Sequence, residues 1–281
     1  MESSKPNRIK NLLPPLLVNG WRQVVRKKRE PIRFTGNYKS WEEAEKESTG
    51  YATPEILEKT CTALLKVKAG KAAFERDSVT FDVMQHEFQL LDGLSRAAAA
   101  DAGHLSVLDF GGSLGSTYFQ CRRFLSGVKA LRWSVVDQPA QVACGKADFA
   151  NEELHFYSTI EECLHEEHPN VLLLSSVIQY LAEPYAFLES ATKHQIPYII
   201  IERTAFTRSG RDRLTVQHVP AWIYDASYPA WFLSEPSFRE IFASRYELVC
   251  EYVAAEELHP RGEKALFKGF QFHVKSSCNR V

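Results

Sequence analysis

Val107-Leu108-Asp109-Phe110-Gly111-Gly112-Ser113-Leu114-Gly115 is the stretch that decides the fold. An apolar run ends in an acid and passes straight into a glycine-rich turn, followed by residues suited to a helix. Such a turn brings backbone close to a ligand at the carboxyl end of a strand. A dinucleotide fingerprint would need Gly-x-Gly-x-x-Gly, and only a Gly-x-x-Gly tail from Gly112 is present, which argues against a nicotinamide cofactor. The same turn also suits a purely architectural strand-to-helix corner.

Downstream, Trp133-Ser134-Val135-Val136-Asp137-Gln138 is a second strand ending in an acid, with a helix N-cap as the plain alternative role for Asp137. From Leu105 onward, short apolar runs alternate with amphipathic stretches, the pattern of β-α units feeding a parallel sheet. Strands are expected at about 105–110, 131–136, 154–157, 170–175 and 196–202, with helices at roughly 115–126, 138–147, 159–166 and 178–190. After a helix near 236–243, strands at about 245–254 and 265–275 follow each other directly, which requires an antiparallel hairpin. The fold class is therefore α/β, with a seven-stranded, mostly parallel, Rossmann-like sheet.

Upstream, Ser40-Trp41-Glu42-Glu43 has the spacing of a capping box. Thr53-Pro54 opens a second helix with Ile56, Thr60, Ala63, Leu64 and Val67 on one face, ended by Gly70. A third helix is expected over about 79–99, burying Val83, Met84, Phe88, Leu91 and Leu94. The organisation expected is a basic, partly ordered arm (1–38), a helical cap (39–100) and the sheet domain (101–281), with residues 203–235 inserted on its substrate side.

The bulk numbers fit this reading. At 281 residues, 44% hydrophobic and 25% charged, the chain matches a folded domain without a membrane-spanning run. Its net charge of −1 conceals an asymmetry: residues 1–33 hold nine Lys/Arg against Glu2 and Glu30, a net +7 that leaves −8 for the rest. Arg26-Lys27-Lys28-Arg29 would suit peripheral contact with an anionic inner-membrane face, or a solubilising tail. The acidic remainder speaks against nucleic acid. Six cysteines without a Cys-x-x-Cys pair suit a reducing cytoplasm. His165 and His168 read as a solvated helix face, so no metal is expected.

The glycine turn resembles the first motif of S-adenosylmethionine-dependent methyltransferases, acidic-x-Gly-x-Gly-x-Gly, with Asp109, Gly111 and Gly115 in register and Ser113 replacing the middle glycine beside Gly112. In that reading Asp109 helps hold the amino-acid part of the cofactor. Asp137, with Gln138 beside it, faces the ribose hydroxyls, and Tyr157 or Ser158 lines the adenine pocket. Ser175, Ser176, Gln179 and Tyr180 border the methionine side or the acceptor.

Seven strands, five of them with α crossovers, and a terminal hairpin are the class I methyltransferase layout. Together with Trp41, Gly50-Tyr51, Glu75-Arg76-Asp77, the Asp109–Ser116 block, Ser175–Leu181 and Ala226-Ser227-Tyr228-Pro229, the chain resembles a bacterial methyltransferase family associated with surface-polysaccharide or lipopolysaccharide biosynthesis. The resemblance implies S-adenosyl-L-methionine as cofactor and a small-molecule or glycan acceptor. Arg203, Trp222, Tyr224, Tyr228 and Trp231 join Tyr180 as acceptor-side candidates. His218 is the first candidate base because imidazole titrates near neutrality, with Glu202 and Asp225 behind it. The competing readings are a non-catalytic assembly or membrane-associated module that keeps the fold, and an aminopropyl transferase, for which no acidic cluster is evident.

Overall fold

The structure, a computed structural model, describes residues 30–50, 54–254, 260 and 264–276. The basic run Arg26–Arg29 and its proposed membrane contact lie outside the described residues, as do Tyr51 and the chain end.

The sheet domain is a three-layer sandwich. Strands β4 (His104–Phe110), β5 (Ala130–Val136), β6 (Leu154–Tyr157), β7 (Val171–Ser175) and β8 (Tyr198–Thr207) run parallel. Strand β12 (Ala265–Val274) pairs antiparallel with both β8 and β11 (Tyr246–Val253). The order β11-β12-β8-β7-β4-β5-β6 makes the seven-stranded, mostly parallel sheet with an antiparallel terminal hairpin expected from the sequence. The central strands are covered on both faces, so Val171–Leu174 are all buried and alternate between two cores. One core collects Leu94, Val107, Trp133, Phe156, Leu173 and Ile200 under α3 (Phe88–Ala100); the other collects Leu108, Leu172, Ile201, Phe238 and Phe270 under α7 (Pro184–Lys193) and α8 (Glu235–Ala243).

β4 pairs with β5 on one side and β7 on the other, so the chain reverses direction across the sheet there. A crevice opens at such a switch point, between the carboxyl ends of β4 and β7. Helices α4 (Ser116–Cys121), α5 (Pro139–Asp148) and α6 (Ile160–Glu166) complete the crossovers. The expected helix at 178–190 is divided: a 3-10 turn at Ile178–Tyr180 stops before Glu183, and Pro184 starts α7, because proline fits only a helix's first turn.

The cap departs from expectation in two places. Helices α1 (Trp41–Lys46) and α2 (Pro54–Lys68) form as anticipated, Ser40 Oγ accepting from the Glu43 amide at 3.3 Å. The helix expected over 79–99 is instead a hairpin followed by the shorter α3. Strands β2 (Phe74–Arg76) and β3 (Val79–Phe81) are joined by Asp77 and Ser78, both left-handed at φ 51° and 63°, and Phe74 stacks on Phe81 at 4.5 Å. A two-residue turn with both φ positive matches the twist of a hairpin and cannot continue a helix. Val83 and Phe88 are consequently exposed and Met84 half-buried, while Leu91 and Leu94 are buried together with Leu90.

The second departure is the 203–235 stretch. β8 runs on to Thr207, and the rest is a hairpin of β9 (Arg213–Val219) and β10 (Ala226–Phe232). β1 (Arg33–Tyr38) adds to its edge, pairing Phe34 with Gln217, so the end of the expected arm is a strand. Among the described residues no helix is long and apolar enough to cross a membrane.

Candidate active site

The glycine turn leaves β4 with Gly111 left-handed at φ 71°, its amide donating to the Val136 carbonyl at 2.8 Å. A Cβ here would lie 2.4 Å from Val177 Cγ2, so the turns that follow β4 and β7 approach closely only because residue 111 has none. Ser113 adopts φ 54° and Gly115 φ 88°. The serine in place of the motif's middle glycine thus takes a left-handed conformation usually left to glycine, within a turn that other contacts hold.

Those contacts centre on Asp137. Its Oδ2 accepts from the Ser113 amide at 2.8 Å and its Oδ1 from the Gln138 amide at 2.7 Å. Burial raises its pKa, and the two amides oppose the rise. Asp109 is fully buried. Trp133 Nε1 donates to its Oδ2 at 3.0 Å, while Oδ1 has no hydrogen-bond partner among the described residues. Burial pushes this carboxyl up to about 7, against the indole hydrogen bond.

A cavity of about 830 Å³ joins these groups to the cap and to the β9–β10 hairpin. That volume is in the range of small-molecule sites. Its floor is Asp109, Phe110, Gly111, Gly112, Ser113, Asp137, Gln138 and Ser158, with Ser175, Ser176 and Arg203 beside them. Its roof holds Trp41, Tyr180, Gln217, Tyr224 and Tyr228. The roof is one hydrogen-bonded chain: Tyr180 donates to Gln217 Oε1 at 2.9 Å, Gln217 Nε2 to the Tyr228 hydroxyl at 3.1 Å, and the Tyr224 and Tyr228 hydroxyls meet at 3.1 Å. Burial pushes Tyr180 up to about 12 and raises Tyr228 well above the ordinary tyrosine value, so both stay protonated at neutral pH.

Several sequence candidates stand elsewhere. Side chains on a strand alternate between faces, so on β9 Gln217 and Val219 line the cavity while His218 turns away, its Nε2 2.8 Å from Thr35 Oγ1. Burial and the Arg33 charge lower the His218 pKa. Glu202 is buried outside the cavity and accepts a hydrogen bond from Tyr252, whereas its neighbour Arg203 bends to φ 50° and enters. Asp225 is exposed ahead of β10. None of the three acid–base candidates lines the cavity.

Five other candidates also lie off it. Tyr157 sits in the second core and donates to Glu167 at 2.9 Å. Gln179 is buried beneath the floor, donating to Ser176 Oγ and to the Arg203 carbonyl, both at 3.2 Å. Trp222 is 43% exposed and donates to the Glu30 carbonyl at 2.9 Å; Trp231 packs against core residues. Gly115 holds the turn from behind, a Cβ there meeting Leu154 at 3.0 Å.

The cavity instead holds Glu75, only 3% exposed, on the β2–β3 hairpin. Its Oε1 accepts from the Ser78 amide at 2.6 Å and its Oε2 from Ser116 Oγ, on the helix that follows the glycine turn. Burial pushes its carboxyl up to about 7, against those two hydrogen bonds. Asp77 and Ser78 line the same wall. The Glu75-Arg76-Asp77 run had marked the family resemblance, but its place in a site follows only from the hairpin.

No protein-family model matches the chain, and no curated protein matches it. Solved structures similar to it include the N-terminal domain of EvdMO1 crystallised in the presence of SAH and D-fucose, at 15% identity over 72% of this chain and 90% of that one, TM-score 0.42. Another is magnesium protoporphyrin IX methyltransferase (ChlM) from Synechocystis PCC 6803 with bound SAH, at 14% identity over 78% and 100%, TM-score 0.44. A third is an S-adenosylmethionine-dependent methyltransferase from Clostridium acetobutylicum ATCC 824, at 7% identity over 68% and 93%, TM-score 0.43.

Proposed function

We propose that this chain is an S-adenosylmethionine-dependent methyltransferase acting on a hydroxyl of a sugar or glycan intermediate. The observation that carries the reading is the single cavity that joins a glycine turn and two strand-end acids, Asp109 and Asp137, to a roof of neutral hydroxyl and amide groups. The residues fit the cofactor. Asp109 Oδ1 is a buried acceptor without a partner among the described residues, in a carboxyl that a cation would return to its charged form. The Gly111–Ser113 backbone offers a close approach, and each Asp137 oxygen, having taken one amide, retains capacity for a ribose hydroxyl. Ser158, which lines the same cavity, would border the adenine.

Bound S-adenosylmethionine supplies a methyl group already activated by the sulfonium. The protein's part is to align the acceptor oxygen in line with that methyl and to exclude water. Trp41, Tyr180 and Tyr228 offer aromatic faces to a sugar ring, while Gln217 and the tyrosine hydroxyls bond its hydroxyls. Glu75 takes the place given in the sequence to His218. Its carboxylate would receive the proton that the acceptor hydroxyl gives up on methylation. A base poised near neutrality suits that role. The surface-glycan setting follows from the family resemblance, and a cytoplasmic location from free cysteines at Cys61, Cys121, Cys144, Cys163 and Cys250.

The test is methyl transfer from S-adenosylmethionine to a panel of glycosides and amines, read by mass spectrometry. An O-methylated glycoside supports the reading; methylation confined to amines overturns the acceptor class. With an acceptor in hand, Glu75→Gln should keep cofactor affinity and lower kcat by about 10² to 10⁴. In the wild type kcat should rise with pH toward about 7, where Glu75 ionises. An unchanged rate in the variant would remove Glu75 from the chemistry.

A further inference from the structure

Away from the cavity, the fold brings Cys61 together with a Cys144 and Asp148 pair that is distant in the sequence. Cys61 stands on α2, and Cys144 and Asp148 are one turn apart at the end of α5, so they share one face of that helix. Asp148 Oδ2 lies 3.8 Å from Cys144 Sγ and 3.9 Å from Cys61 Sγ, and the three donor atoms all lie within 4.8 Å of one another. Both thiols are half-buried against the first core, whereas Asp148 is exposed. None of the three lines the cavity.

We propose that Cys61, Cys144 and Asp148 form a binding site for a thiophilic divalent cation of the zinc class, bracing the cap helix α2 against the sheet domain. Two sulfurs and one carboxylate suit such an ion and disfavour magnesium or calcium, which prefer all-oxygen sites. With metal–sulfur bonds of about 2.3 Å and metal–oxygen bonds near 2.1 Å, tetrahedral angles place sulfur and oxygen about 3.6 Å apart. The two sulfur–oxygen separations need to close by only about 0.3 Å, well within side-chain adjustment. The exposed side at Asp148 leaves the fourth position to water.

Charge also balances. Two thiolates and a carboxylate carry three negative charges, which a divalent ion and the Lys68 ammonium offset; Lys68 Nζ donates to the Asp148 carbonyl and lies 5.7 Å from the centre of the buried Phe149 ring. A disulfide would use the two sulfurs alone and leave the convergent carboxylate without a role. The brace has a location that matters, because the same two helices also reach the cavity, through Ile56 and Thr60 on α2 and through Pro139 on α5. Cysteines at positions 61 and 144 give no sign of this in sequence, since no short spacing links them.

The test uses the full chain, reduced with a phosphine under anaerobic conditions and titrated with Co(II) and then Zn(II). One equivalent of Co(II) should give thiolate-to-metal charge transfer and the strong visible bands of a tetrahedral site, and Zn(II) should displace it and raise Tm. The Cys61→Ser/Cys144→Ser double variant should lose both bands and the Tm response. Asp148→Asn, an exposed change that leaves the core untouched, should keep the charge transfer and bind at least tenfold more weakly. A charge-transfer band that persists in the double variant would place the ligands at other cysteines and overturn the proposal. So would wild-type protein that shows no thiolate band, including one that merely oxidises to a Cys61–Cys144 disulfide in air.

Discussion

At Gly111 and Asp109, two residues apart, the site asks for opposite things: absence of a side chain at one, a costly side chain at the other. Gly111→Ala would place a methyl 2.4 Å from Val177 Cγ2 on a left-handed backbone. It should destabilise the protein by about 1 to 3 kcal/mol and weaken cofactor binding, measured by urea unfolding and calorimetry. Asp109 is held near pKa 7 by burial. Because its folded pKa lies above its unfolded value of about 4, its contribution to stability is full below pH 4 and is lost as pH rises to about 7. Glu75 acts in the same direction over the same window. A cationic ligand reverses this preference at Asp109 by favouring its carboxylate, so binding S-adenosylmethionine at pH 6.5 to 7 should release a proton, given Asp109 near 7. Calorimetry in buffers of different ionisation enthalpy reads that release; zero release would contradict the assignment.

Single elements explain which candidates reach the cavity. On β9, alternation sends Gln217 inward and His218 outward, so His218→Ala should leave cofactor affinity and turnover within about twofold while Gln217→Ala weakens the acceptor. Equal losses in both variants would refute the register argument. Strand ends and the glycine turn were legible in the sequence because their signals are local: an apolar run, an acid and glycines in consecutive positions. Asp109, Gly111, Asp137 and Ser175 were found that way. The β2–β3 hairpin was not, because Asp77-Ser78 is a less usual two-residue turn than Asn-Gly, and Val79, Val83 and Leu91 read as well on a helix. With the hairpin went Glu75. Sequence likewise could not show that β1 would complete the β9–β10 sheet, since that pairing spans well over a hundred residues.

For the whole molecule, the account rests on one sheet presenting a cofactor floor that the cap and the β9–β10 hairpin close from above. Hydrogen bonds tie these parts together: Ser116 to Glu75 between sheet domain and cap, and Thr49 to Ser227 at 3.0 Å between cap and roof. Cofactor binding should therefore stabilise cap and sheet as one unit, and a single thermal transition should move upward in its presence. The most direct test of the central claim is calorimetric titration of the purified protein with S-adenosylmethionine, alongside Asp137→Ala and with NAD as the competing ligand. The account predicts one site of micromolar affinity, lost in the variant and indifferent to NAD; no binding by the wild type, or equal binding by the variant, would contradict it.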